Sequence, residues 1–512
     1  MYNDHLDVEL QQLLKQKVAL PKYRVLADAF EMAIQSGKLR RDDQLPTVRE
    51  LSKHLNLSGT TVAAAYRILA QKGFTASKVG SGTRVAFGSE RLARPPTATF
   101  RRTDDIYTPR VSLWRRRTQT NHISSLLKAF PHAKNYASGT PNLRLLPFEV
   151  MKRAWLSAAS ELIHDDLQYA GPAPVSSLKS QLLARLEADL VPALASDLIM
   201  GSSAQQLMTL AIQLVTALIR KPNILVAVEE PGYPTLFDSY ERMGHHLIGI
   251  EVDAEGAVPA SVERALAKGA SAIVFTPRAH NPTGVSWSSS RLTELADVVA
   301  EYPNTIIIED DQFAEAANSQ AGSLLQDRRL EDHVIYIRSF SKVIAPDLRL
   351  AVAVARPHLR ALLMESKFYT DGWSSSFSQK ALAHAFADPE LDSAIALARK
   401  TYNSRRHSFI QSLLDVSSVD ELTIPPAADG VNVWIKLCNG LSASDVAERA
   451  AAAGVLVATG EPFFVNVGRD DALRINTGMI TDSDITEVSQ KLVLAIKEAA
   501  GSTPTLFSQH SL

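Results

Sequence analysis

A single cysteine, Cys438, among 512 residues rules out an internal disulfide framework and any zinc site built from several thiolates. Net charge of one sign is missing as well. Fifty-four Lys and Arg stand against 55 Asp and Glu, leaving a formal charge of -1, so DNA binding would need a local basic patch. The longest apolar run, LMTLAIQLVTALI, is too short to span a bilayer and reads as a buried helix, so no membrane partner is expected. The first residues, MYNDHLDVEL, have neither the basic start nor the apolar stretch of a secretion signal, and a cytoplasmic protein is expected. The remaining balance, 46% hydrophobic and 21% charged, is that of a soluble globular chain, long enough for two or three domains and a large core.

Residues 20–88 carry short elements. PKYRVLADAFEMAIQSGKL spaces Tyr23, Leu26, Phe30 and Ile34 as one helix face and stops at Ser36-Gly37. TVRELSKHL starts a second helix after Pro46. SGTTVAAAYRILAQKG makes a third, with Ser58 as N-cap and Gly73 as its stop. FTASKVGSGTRVAF then reads as two strands about a Gly80-Ser81-Gly82 turn. Helix, short connection, helix and hairpin describe a winged helix-turn-helix, with the third helix in a major groove and the hairpin against the neighbouring backbone. Ser58, Thr60 and Thr61 stand at a helix N-terminus, where hydroxyls and dipole both favour phosphate. Arg49, Arg67, Lys78 and Arg84 supply local positive charge. A small helical accessory domain with a solvated basic face has the same pattern.

Residues 89–122, including RLARPPTATFRRTDDIYTPRVSLWRRR, hold no period and read as an Arg- and Pro-rich linker. From 123 to 500 helices alternate with short, wholly apolar strands: NILVAVE, SAIVFTP, TIIIED, HVIYIRSF and LRLAVAV. Strands without polar alternation are buried on both faces, as in a parallel sheet between helices. Beyond about Thr401 a smaller α+β lobe is expected, with GVNVWIKL and ALRINTG as strands.

The ends of those strands carry chemistry. An aldehyde cofactor such as pyridoxal 5'-phosphate needs a Schiff-base amine, an acid at its ring nitrogen, a phosphate cradle and a ring-face partner. Lys342 in RSFSKVIAPDLRL is a candidate amine. Asp310, ending TIIIED, is a buried carboxylate that needs a cationic partner, or a helix cap. In MGSSAQQL the amides of Ser203 and Ala204 could cradle phosphate at a helix start, though an ordinary capping turn looks the same. Ser339, Ser341 and Arg349 flank the lysine and could complete a dianion site. Tyr233 in EEPGYPTL could stack on the ring, and Asn281 in HNPTG could meet a phenolic oxygen; packing and a turn explain them equally well.

Two resemblances rest on these motifs. GKLRRDDQLPTVRELSKHLNLSGTTVAAAYRILAQKGFTASKVGSGTRV resembles the GntR-type winged helix through LPTVRELS and TVAAAYRILAQKG. The ordered set GSSAQQ, EEPGYP, HNPTG, IIIEDD, SFSKVIAPDLRL and LRINTG resembles the fold type I, class I aminotransferases. Together they resemble the MocR subfamily of GntR-type transcriptional regulators. The resemblance implies Lys342 as the lysine bound to pyridoxal phosphate, Asp310 at the ring nitrogen, Tyr233 stacking, and Ser339, Ser341 and Arg349 on phosphate. It also implies Arg474 on the carboxylate of an amino compound, and Arg49, Ser58, Thr60, Thr61 and the Gly80–Gly82 wing on operator DNA. A homodimer follows from it, with paired half-sites.

There are departures from the family pattern. Gly59 stands where members often have Arg, which removes a bidentate reader of guanine. Gln312 replaces the usual Tyr of EDDY, HNPTG replaces HQxPTG, and YAGPAPV replaces YGDPxG. The expected function is thus a regulator sensing pyridoxal phosphate or an amino compound. The alternatives are a working aminotransferase with a DNA-binding head, and a DNA-binding protein whose large domain holds no cofactor.

Overall fold

The structure is a computed structural model describing residues 22–35, 38–39, 43–71, 74–78, 82–85, 123–319, 322–417, 422–426, 429–466 and 469–501. The linker assigned to 89–122, and Gly80 and Ser81 of the hairpin turn, lie outside the described residues. The chain divides into two compact units, one within residues 1–104 and one within 105–512.

In the first unit, Lys22–Gln35, Val48–Leu55 and Gly59–Gln71 are helices, and Thr75–Lys78 pairs antiparallel with Gly82–Val85. The apolar periodicity does the packing: Leu26, Phe30, Ile34, Leu51, Leu55, Val62, Tyr66, Leu69 and Val85 close one core. Tyr66 sits edge-on to Phe30 and donates its hydroxyl to the Pro46 carbonyl, 2.8 Å away. The second helix starts on a reciprocal cap. Thr47 Oγ1 accepts from the Glu50 amide while Glu50 Oε2 accepts from the Thr47 amide. It ends at Asn56 in the left-handed region, φ 51°. Gly82 opens the second hairpin strand at φ +77°, a conformation that favours glycine.

In the second unit, eight strands form a mixed sheet in the order Leu198–Gly201, Ala351–Ala355, Val334–Ser339, Ile306–Asp311, Ala272–Phe275, Leu225–Glu230, His246–Asp253, Gly256–Ala257. The strands lack polar alternation because both faces are covered. Ile306 and Ile308 face one helical layer, which includes Ala204–Ile219, Pro234–Arg242 and Pro357–Phe368; Ile307 faces the other. The sheet is not wholly parallel, which corrects the reading of LRLAVAV. Ala351–Ala355 runs antiparallel to both its neighbours, and Phe340–Leu350 is shorter than the dozen or so residues a parallel crossover needs.

A second sheet, ordered Leu422–Thr423, Asn432–Leu437, Ala472–Asn476, Ala458–Thr459, forms the smaller lobe. Lys134–Asn135 pairs with Val455–Leu456 near it, so the lobe also recruits chain from the unit's start. The helix Leu391–Val416 runs through the boundary expected near Thr401.

Gly59 is not required by packing. An added Cβ would meet only Val48 Cγ1 at 3.8 Å and Ser52 Oγ at 3.9 Å. Gly59→Ala therefore stabilises the first unit by about 0.5 kcal/mol through the unfolded chain; lower stability in chemical denaturation would contradict that.

Candidate functional site

The parallel strands of the large sheet end on one edge. Register aligns Gly201, Ala351 and Ser339 across it, and Asp311 with Arg338. Ligands of open α/β sheets bind outside such carboxyl ends.

Lys342 follows the strand Val334–Ser339. Its Nζ donates to Gly139 O at 3.1 Å and Gln312 Oε1 at 3.0 Å, both neutral acceptors. Burial, helped by nearby Arg474 and opposed by Asp310, brings the amine down to about 8. Gln312 is aimed by its own amide nitrogen, which donates to Ala279 O at 3.3 Å. Asp310 is buried, and among the described residues its Oδ1 has no hydrogen-bond partner. Burial pushes its carboxyl up to about 7; Lys342 pulls against this while Asp311 and Glu229 add to it.

The cationic partners expected for Asp310 belong to its neighbour. Arg278 donates to Asp311 Oδ1 at 2.8 Å and Oδ2 at 2.6 Å, and Tyr336 donates its hydroxyl to the same carboxylate. Arg338 lies 2.8 Å from Asp189, which also receives Arg278. Despite burial, Arg278 and Arg338 hold Asp311 well below the usual carboxylate range. Sequence reading missed this cluster. Its visible signals were an arginine inside the apolar strand HVIYIRSF and the doubled acid in IIIEDD.

Arg474, on the strand Ala472–Asn476, is buried. It donates to Asn281 Oδ1 at 3.1 Å and to Ala137 O, and stands 4.7 Å above the Phe463 ring. Among the described residues its Nε has no partner, and burial brings the guanidinium down to about 10 with Tyr233 opposing. Gly139 packs closely beside it, and an added Cβ would lie 3.3 Å from Arg474 Nη1. Asn281 also accepts from Asn432 at 3.3 Å, and Tyr233 precedes the helix Pro234–Arg242.

Ser203 caps Ala204–Ile219, its Oγ accepting from the Gln206 amide at 3.1 Å. Ser339 Oγ accepts from the Ser341 amide at 3.3 Å. Arg349 is exposed, with φ 53°. Lys342, Gln312, Gly139, Arg474 and Asn281 thus form one linked set of contacts, while Ser203, Ala204, Ser339 and Ser341 occupy neighbouring strand ends.

In the first unit, Ser58 Oγ lies 2.8 Å from Thr60 Oγ1 and 2.7 Å from Thr61 Oγ1 and accepts from the Thr61 amide. Ser58, Thr60, Arg49 and Arg67 are exposed. Arg84 donates to Gln44 Oε1 at 3.2 Å. Gly82 is described; Gly80 is not.

Residues 142–492 match the family model for aminotransferase class I and II, and residues 22–85 that for bacterial regulatory proteins of the gntR family. The chain is 31% identical over 469 residues to the vitamin B6 salvage pathway transcriptional repressor PtsJ of Salmonella typhimurium, covering 92% of this chain and 97% of that one. The chain belongs to the MocR subfamily of GntR-type transcriptional regulators. It is also 26% identical to the 2-aminoadipate transaminase of Thermus thermophilus, over 74% of this chain and 95% of that one. Its fold is similar to that of the multiple substrate aminotransferase from Thermococcus profundus, at a TM-score of 0.69 and 21% identity, covering 81% of this chain and all of the other. The aminotransferase class of this MocR domain indicates pyridoxal 5'-phosphate as its cofactor. The residues fit that group: a buried carboxylate oxygen without a partner stands near a lysine of lowered pKa.

Asp310 supplies a test without cofactor. A carboxyl whose folded pKa is raised binds its proton more tightly in the native state, so its contribution is present below about pH 4 and lost as pH rises through about 7. Asp310→Asn removes that loss. In urea denaturation of the cofactor-free chain, the variant gains stability over wild type between pH 5 and pH 8. An unchanged or shrinking difference contradicts the burial argument.

Proposed function

We propose that the protein is a transcriptional regulator whose large unit holds pyridoxal 5'-phosphate and senses it or an amino compound. The observation carrying this reading is the partnerless, buried Oδ1 of Asp310 in the pocket of Lys342. A protonated ring nitrogen is the group that would satisfy that oxygen and lower the cost of burying its charge.

In this reading Lys342 offers its amine to the cofactor's aldehyde and Asp310 holds the ring nitrogen's proton. Tyr233 lies against the ring, and Asn281 meets its phenolic oxygen. The amides of Ser203 and Ala204, with Ser339, Ser341 and Arg349, hold the phosphate. Bound there, the cofactor supplies an aldehyde that condenses with primary amines and a ring that draws electrons. Arg474 takes the effector's carboxylate. Whenever Lys342 is not joined to the cofactor, Gly139 O and Gln312 Oε1 would hold its amine, as they do here. The segment Ala137–Thr140 therefore registers both events: Gly139 receives Lys342, and Ala137 receives Arg474. It follows closely on the linker in the chain, which supports a covalent route toward the first unit.

Operator DNA is contacted by Arg49, Ser58, Thr60, Thr61, Arg67 and the wing about Gly80 and Gly82. Gly59 leaves the base code to other residues. A second copy of the chain is the expected partner. Tyr169, Phe368 and Tyr369 expose 88%, 75% and 76% of their surface, apolar surface that a second copy would cover. Among the described residues no helix is long and apolar enough to cross a membrane. A regulator of this kind works where the DNA is, in the cytoplasm.

The test is affinity for a duplex selected by the full chain from a random-sequence pool. Binding falls steeply with salt, and Arg49→Ala weakens it on all sequences. Pyridoxal phosphate or a responsive amino compound shifts wild-type affinity by about fivefold or more, the lower end of ordinary coupling. Lys342→Ala binds the duplex but loses the shift. A variant that responds as fully as wild type overturns the sensing role of the lysine.

A further inference from the structure

Lys367 lies on Pro357–Phe368, and its side chain is 0% exposed. A lysine that deeply buried needs a specific partner. Its Nζ donates to Asp371 Oδ1 at 2.7 Å, and Asp371 Oδ2 accepts from Ser202 Oγ at 2.8 Å. Ser202 is the first residue past the strand Leu198–Gly201, at the turn that opens Ala204–Ile219.

Three hydrogen bonds hold that turn, two of them through Gln206. The Ser202 amide donates to Gln206 Oε1 at 2.7 Å, and the Gln206 amide donates to Ser203 Oγ at 3.1 Å. Burial works against ionisation of Asp371, yet Lys367, Ser202 and Gln206 together keep its carboxyl below the ordinary value. Gln206 is thereby tied to both ends of the turn. Among the described residues the amides of Ser203, Ala204 and Gln205 make no hydrogen bond, as the first turn of a helix dictates. Three backbone donors are thus left over at the helix start, beside the Ser202 and Ser203 hydroxyls that bond to Asp371 and Gln206.

We infer that Lys367 and Asp371 are positioning residues for the phosphate end of the site, fixing the Ser202–Gln206 turn so that its free amides meet a dianion. This rests on the cofactor reading above, whose independent support is the partnerless Asp310 oxygen. Lys367 has a second effect. Its charge neutralises Asp371, which would otherwise place a carboxylate beside the bound phosphate. Neither residue touches the ligand, so the expected signature is selectivity for a phosphorylated ligand rather than loss of all binding.

The experiment is calorimetric titration of the cofactor-free full chain with pyridoxal 5'-phosphate and, separately, with pyridoxal, which keeps the aldehyde and ring but has no phosphate. Wild type prefers the phosphorylated form. Ser202→Ala, which leaves the ion pair intact, and Lys367→Met, which keeps the volume but removes the charge, each lower that preference by about tenfold or more, the order of one charge-assisted hydrogen bond. Their affinity for pyridoxal stays near that of wild type. Should both ligands weaken alike, the two residues only hold the fold; should neither weaken, the turn needs no lock. Either result overturns the inference while leaving Lys342 and Asp310 in place. A wild type that binds neither ligand removes the cofactor reading itself, and a wild type that binds both equally removes the phosphate cradle.

Discussion

Asp310 and Lys342 are an acid and a base buried close enough to act on each other, and among the described residues no charged side chain is hydrogen-bonded to either. Lys342 has two neutral oxygens, and Asp310 Oδ1 has nothing. Burying a charge without a partner is costly, and the usual outcome is a shifted pKa. Both groups are shifted toward neutrality, to about 8 and about 7. The rest of the large unit holds this arrangement in place. The strand ends at the sheet edge, the Asp311 cluster anchors the residue beside Asp310, and Gln312 ties the lysine to Ala279.

The division between Asp310 and Asp311 shows how one strand end carries two roles. Successive side chains point to opposite faces of a sheet, so Asp311 meets Arg278, Arg338 and Tyr336. Asp310, one residue earlier, turns the other way and keeps an oxygen free. A fully satisfied network rigidifies its surroundings. Here it fixes the backbone that presents the unsatisfied carboxylate.

Much of the fold was legible because its elements follow period. The three helices and hairpin of the first unit show their spacing and caps in the sequence, and the apolar strands announce a doubly covered sheet. The direction of Ala351–Ala355 was also available from the short connection after Ser339, although LRLAVAV alone reads like its neighbours. What could not be read were pairs made across the chain. Arg278 with Asp311, Lys134–Asn135 with Val455–Leu456, and Arg474 with Ala137 depend on three-dimensional closure. Lys367 looks like any surface lysine of an amphipathic helix, and only burial separates it from them. Among the site residues, Gln312 was visible as a departure, but its bond to Lys342 was not.

The account turns on which amine is reactive. Incubation of the full chain with pyridoxal 5'-phosphate, reduction with borohydride and peptide mapping by mass spectrometry reads this directly. Among the described residues Lys342 is the lysine whose amine is brought down, to about 8, which favours its free-base form near neutral pH, and a phosphopyridoxyl group should be found on its peptide at one equivalent per chain. Labelling spread over exposed lysines, with the Lys342 peptide unmodified, would contradict the assignment of the site.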